Sequence, residues 1–183
     1  MSSSLNSRKT LCLWYNIHML KKICTPNLVL DKLENLDLKH FYDLGYRALL
    51  IDLDNTLAPH YIKSITQREI DIINRFKDYG FKVMVVSNNT SKRVGKFLAD
   101  SGIDYTCWSL KPLPWGYYRA LRRMGVNFKQ AIGIGDQMLT DVIGSNLMGM
   151  YSIYTIPLEK KDSFITTINR GIERWLFKNV VNK

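Results

Sequence analysis

The stretch LLIDLDNTLAPH, residues 49–60, sets two carboxylates two positions apart at the end of an apolar run. In an extended chain alternate side chains share a face, so Asp52 and Asp54 are expected to lie close together. At about 6 Å and an effective dielectric of about 20, two full charges repel by roughly 3 kcal/mol. A fold keeps such a pair when something cationic sits between them, and the flanking sequence has to supply it.

Outward from this stretch, from Leu44 onward, short apolar runs alternate with amphipathic ones. That alternation predicts an α/β fold with a parallel sheet flanked by helices. Residues 48–53 read as the first strand. Ser64 or Thr66 can cap the following helix, with Gln67 or Glu69 three residues on; Ile70, Ile73 and Phe76 form its apolar stripe and Gly80 ends it. FKVMVVSNN then reads as a buried strand running into a polar loop. Residues 91–101 predict a second helix, YTCW a weak third strand, and Pro112 and Pro114 open a helix that Gly125 ends. AIGIGDQ is the fourth strand with its loop, LTDVIGSNLMGM a helix, YSIYTI the last strand and residues 165–180 a closing helix. The expected organisation is an N-terminal extension with an amphipathic lead-in over 1–43, a catalytic core over 44–158, and a basic C-terminal helix over 159–183 on or beside it.

Composition narrows the function classes. The 183 residues carry 26 Lys and Arg against 16 Asp and Glu, a formal charge of +10, which favours an anionic partner: nucleic acid, anionic lipid or a phosphorylated substrate. Cys12, Cys24 and Cys107 are widely spaced, with no Cys-x-x-Cys pair, so neither a disulfide framework nor a zinc site is indicated and a reducing compartment is expected. His18, His40 and His60 have no ligand-like spacing. No apolar run approaches the roughly 20 residues that span a bilayer. Arg8 and Lys9 precede an apolar stretch without a small-residue cleavage site, which argues against secretion. The acid-poor, Ser-containing opening resembles an organelle transit segment, so residues 1–18 read as that, as an extension of a cytoplasmic protein or as a mispredicted start ahead of Met19.

In doubly wound sheets the ligand sits beyond the carboxyl ends of the strands. There the sequence puts Asp52 and Asp54 after the first strand, Ser87 and Asn88 after the second, Lys111 after the third, Asp136 and Asp141 after the fourth. Carboxylates, a hydroxyl and an ammonium converging from four loops suit phosphoryl transfer. Several acids together suggest a hard cation with oxygen ligands, most simply Mg²⁺. Each motif alone has an ordinary reading as a turn, a cap or a wet surface residue; independent turns have no reason to deliver this charge inventory at every strand end.

DLDNT (52–56), VVSNN (85–89), LKP (110–112) and GDQMLTD (135–141) resemble the four motifs of the haloacid dehalogenase superfamily of phosphatases, whose fold is Rossmann-like. KPLPWGYYRAL, GDQMLTDVIGSN and INRGIER are similar to its capless subfamily IIIA, the YqeG-type branch that includes phosphatidylglycerophosphate phosphatases. In that branch a chain start resembling MLKK would align at Met19. The resemblance implies Asp52 as nucleophile and Asp54 as general acid and base. It implies Mg²⁺ on Asp52, Asp136 and the backbone carbonyl of Asp54, with Asp141 supporting through water or Lys111. Ser87, Lys111 and a less central Asn88 would hold the phosphoryl group.

The spacing leaves no room for a cap domain, so large or surface-bound substrates are expected: a lipid headgroup, a nucleic acid 3′ end or a phosphoprotein. No specific nucleic-acid motif occurs. The leading expectation is a Mg²⁺-dependent phosphatidylglycerophosphate phosphatase visiting the cytoplasmic face of a membrane, or in an organelle matrix. The alternatives are a phosphatase for another phosphomonoester and a non-catalytic basic binding module. Trp108 and Trp115 flank Lys111, with core packing expected and a lipid or base-stacking platform as the alternative. The closing helix, with its stripe Ile165, Ile168, Ile172 and Leu176, docks either on the sheet or on anionic membrane.

Overall fold

The four residues of Ala48–Ile51 are all buried, a condition met only by a strand covered on both faces. In the computed structural model, which describes residues 19–159, this is the centre of a six-stranded sheet. The strands are β1 (Leu28–Leu30), β2 (Ala48–Ile51), β3 (Lys82–Val86), β4 (Tyr105–Thr106), β5 (Ala131–Gly135) and β6 (Tyr151–Thr155). Their order is β1-β6-β5-β2-β3-β4 and every pairing is parallel. The chain builds one way from β2 and then crosses back to lay β5 on its other side. The reversal of direction falls between β2 and β5, where such sheets bind ligands.

The helices are α1 (Leu38–Asp43), α2 (Gln67–Asp78), α3 (Ser91–Phe97), α4 (Trp115–Met124) and α5 (Ile143–Leu147). Pleating divides β2 between two cores. Leu49 and Ile51 join Phe76 of α2 and Phe97 of α3, whereas Ala48 and Leu50 join Tyr117, Leu121 and Met124 of α4. Thr66 and Glu69 form the capping box that starts α2, and Gly125, at φ +62°, ends α4. The α3 helix stops at Phe97, shorter than the sequence pattern suggested, and Thr90 caps it by accepting from Arg93 N. The helix expected over LTDVIGSNLMGM begins instead as a π turn, Met138–Val142, which runs into α5.

β1 comes from the segment read in sequence as an extension. Leu30, Leu33, Leu36 and Phe41 pack in the same core as Leu49 and Phe76, so the built core begins near residue 28 rather than 44. Asn27 ties this edge to β6: its N–H donates to Ser152 O (3.0 Å), and Ser152 N donates to Asn27 Oδ1 (2.9 Å). The closing helix proposed for residues 165–180 lies outside the described residues. Between β2 and β3 stands α2 alone, and between β3 and β4 α3 alone, so the described residues contain no cap domain.

Candidate active site

Register brings the motifs level. Ile51 aligns with Val85 on one side and Ile134 on the other, so Asp52, Ser87 and Asp136 all emerge just past the same edge. Asp52 N still donates to Ile134 O (2.9 Å). Asp52 keeps the parity of Ala48 and Leu50 and therefore points to the α4 side, toward Lys111.

Lys111 has a side chain only 2% exposed, and its Nζ donates to Asp52 Oδ1 and Asp141 Oδ1, both at 2.6 Å. Asn88 fixes its backbone from two sides: Lys111 N donates to Asn88 Oδ1 (2.7 Å), and Asn88 Nδ2 donates to Lys111 O (3.0 Å). Ser87 is buried, accepting at Oγ from Asn89 N (3.1 Å) while its N–H donates to Thr106 O (3.0 Å). Asp141 accepts from Gln137 N at its other oxygen (3.1 Å). Gly135 makes this possible: a Cβ there would collide with the Asp141 carboxyl group. Thr56 Oγ1 reaches Asp136 Oδ1 at 3.4 Å.

The two aspartates of the opening motif part company. The strand ends at Ile51 and Asn55 takes φ +64°, so alternation does not carry through to Asp54. Its Oδ2 accepts from Asn89 Nδ2 (2.6 Å) and its Oδ1 from Arg93 Nη2 (3.0 Å), with His60 Nδ1 3.1 Å away. Repulsion is thus relieved by two cations, Lys111 for Asp52 and Arg93 for Asp54. Arg93 also donates to the carbonyls of His60 and Ile62, fixing the loop after β2. Sequence reasoning missed Asn89, Arg93 and this placement of His60. The SNN doublet was a signal for Asn89; Arg93 gave none, being one charge among several on a helix.

Burial pushes the Asp52 carboxyl up to about 7; Lys111 pulls against that, while Asp141 and Asp54 add to it. Burial works to lower the Lys111 ammonium, but Asp141 and Asp52 outweigh it and hold Lys111 well above the ordinary lysine value. It is charged throughout the physiological range.

Asp52, Asp136 and Asp141 each offer a carboxylate oxygen within 4.8 Å of the others, and all three residues are buried. Three carboxylates against one ammonium leave an excess of negative charge among hard oxygen donors. Charge and donor chemistry both fit a divalent cation of the Mg²⁺ type. The cluster has the make-up of an acidic metal site; the Asp141 carboxylate falls within it and the Asp54 carboxylate outside it.

A haloacid dehalogenase-like hydrolase profile matches residues 68–149, and a mitochondrial PGP phosphatase profile matches residues 10–97. The probable phosphatase YqeG of Bacillus subtilis (strain 168) is 33% identical over 165 residues, covering 90% of this chain and 96% of that protein. The chain belongs to the haloacid dehalogenase superfamily, in its YqeG branch. Like that family it is a phosphoric monoester hydrolase, and the buried acidic cluster agrees with that chemistry. Phosphatidylglycerophosphate phosphatase 1, chloroplastic/mitochondrial, of Arabidopsis thaliana is a more distant relative, 23% identical over 89% of this chain and half of its own length. A crystal structure of an uncharacterized protein from Listeria monocytogenes serotype 4b has a similar fold, with a TM-score of 0.50 at 16% identity, over 73% of this chain and 99% of that one.

Proposed function

We propose that the chain is a Mg²⁺-dependent phosphatase that converts phosphatidylglycerophosphate to phosphatidylglycerol through an aspartyl phosphate on Asp52. The observation that carries the chemistry is the buried Lys111 ammonium bridging Asp52 and Asp141 beside Asp136. Asp52 Oδ2 attacks phosphorus and the bond to the leaving alkoxide breaks. Asp54, oriented by Asn89 and Arg93, gives its proton to that alkoxide. In the second half Asp54 takes a proton from water, the oxygen attacks phosphorus, and the Asp52 carboxylate is released with inorganic phosphate. Lys111 and the Ser87 hydroxyl stabilise charge on the equatorial phosphoryl oxygens, while Asn88 acts by fixing the Lys111 backbone. A divalent ion held by Asp52, Asp136 and the Asp54 carbonyl would offset the remaining negative charge.

The lipid substrate is supported by the PGP phosphatase profile, by the distant relatives of that name and by a site that no cap among the described residues encloses. The test is phosphate release from phosphatidylglycerophosphate in mixed detergent micelles with Mg²⁺, against a panel of soluble phosphomonoesters. Rapid release from the lipid is expected; hydrolysis of the soluble esters alone would refute the lipid assignment. No helix among the described residues is long and apolar enough to cross a membrane.

Metal binding should depend on pH in a direction the site dictates. Below about pH 4 Asp52 is protonated folded or unfolded. Between there and about 7 the folded chain keeps a proton that the unfolded chain has lost, so the Asp52 contribution to metal-free stability falls as pH rises through that window. A divalent ion must displace that proton. Mg²⁺ is therefore expected to raise the thermal midpoint more at pH 8 than at pH 5.5, read by scanning calorimetry. Equal shifts at both pH values would contradict Asp52 as a ligand.

A further inference from the structure

The loop that delivers Lys111 alternates strictly. Ser109 and Lys111 are buried, which turns Trp108 and Leu110 outward, and Leu113 and Trp115 follow them into solvent. Trp108 is 56% exposed and Trp115 64%, overturning the expectation that they pack in the core. Holding Ser109 and Lys111 inward explains the backbone but not the residue types outside, where polar side chains would serve. Trp108 and Leu110 even take left-handed conformations, φ +49° and +54°, that bulky residues rarely adopt. Scattered exposed hydrophobics are ordinary; two tryptophans and two leucines within eight residues, around a catalytic lysine, are not. Tyr61, in the loop after β2 at the same end of the sheet, is also more than half exposed.

The charge around this rim is positive. Lys63 and Lys92 are exposed in the loop after β2 and at the start of α3, both at the same end of the sheet. Arg119, also exposed, donates to the carbonyls of Cys107 and Trp108 at the root of the loop. Residues 86–123 hold seven Lys and Arg against two acids, Asp100 and Asp104, and both acids precede β4, away from the carboxyl end. Among the described residues, Glu159, beside Tyr61, and Asp54, inside the site, bring negative charge to the rim.

We propose that residues 108–115, with Tyr61 of the loop after β2, form an interfacial anchor that seats the mouth of the site on an anionic bilayer. Tryptophan and tyrosine favour the headgroup boundary, leucine the acyl region just below, and the surrounding cations an anionic leaflet. With no cap among the described residues, the bilayer closes the mouth and a headgroup reaches Lys111 without leaving the membrane. This deepens the lipid phosphatase reading and rests on it for its purpose, although the surface is argued independently.

The test uses the full chain in flotation with vesicles of phosphatidylglycerol and phosphatidylcholine, and with phosphatidylcholine alone. The wild type should float with the mixed vesicles, and Leu113→Ser/Trp115→Ser should partition about tenfold more weakly or worse, with hydrolysis of p-nitrophenyl phosphate unchanged. Leu113→Ser alone, at an exposed side chain, should lose several-fold and keeps the test decisive should the pair unfold. Flotation that the variants leave intact, or a wild type that stays in solution, overturns the anchor, as would an acidic protein competing where vesicles fail. Flotation lost in the variants while wild type leaves phosphatidylglycerophosphate intact would uphold the anchor and reject only the headgroup.

Discussion

Asp52→Asn is expected to reduce phosphate release by about 10⁴-fold or more, because an amide lacks the charge and lone-pair basicity to attack phosphorus. The near-isosteric change keeps the side chain beside Lys111, which still has Asp141 at 2.6 Å. It also removes one of the carboxylates that burial disfavours, so the thermal midpoint should hold or rise in metal-free buffer. The pairing of lost turnover with preserved stability identifies a chemical role. Should Asp52→Asn retain a hundredth of wild-type activity, the covalent route through Asp52 is excluded.

The second large effect is expected at the opposite charge. Lys111→Met leaves Asp52 and Asp141 buried without their ammonium, beside Asp136. Breaking a buried ion pair from one side typically costs about 3–5 kcal/mol, a large share of the roughly 5–15 kcal/mol that holds a domain folded. The urea midpoint of Lys111→Met should fall accordingly in metal-free buffer, with phosphatase activity abolished. Adding Asp141→Asn removes one of the stranded charges and should recover part of the stability and none of the activity. A Lys111→Met protein as stable as wild type would show that the site carries no such electrostatic debt.

The fold was legible wherever one strand or helix carried its own signal. The continuous apolar runs at 48–51, 82–86 and 131–135 announce buried parallel strands, and Thr66 with Glu69 announces a helix start. β1 is three residues long and shows no periodicity; only its pairing with β6, 125 positions away by the Asn27–Ser152 contact, makes it a strand. The site was legible in inventory but not in orientation. Lys111, Asp52 and Asp141 meet through contacts 59 and 30 residues apart, as loop order suggested. The swing of Asp54 toward Arg93 depends on a left-handed Asn55 that no pattern encodes. Trp108 and Trp115 were misjudged for a related reason: aromatic content favours the core, whereas the inward demand of Ser109 and Lys111 reverses the parity around them.

The pairing of Leu28 with Ile153 has a consequence for biosynthesis. A ribosome releases the Leu28–Leu30 segment early, yet its mate among the described residues, β6, follows 125 residues later in the chain. Until then the nascent protein carries a short open hook of unsatisfied amides and carbonyls that a neighbouring chain could capture. Completing the β1–β6 ladder is a late, high-contact-order event that joins the earliest and latest of the described strands.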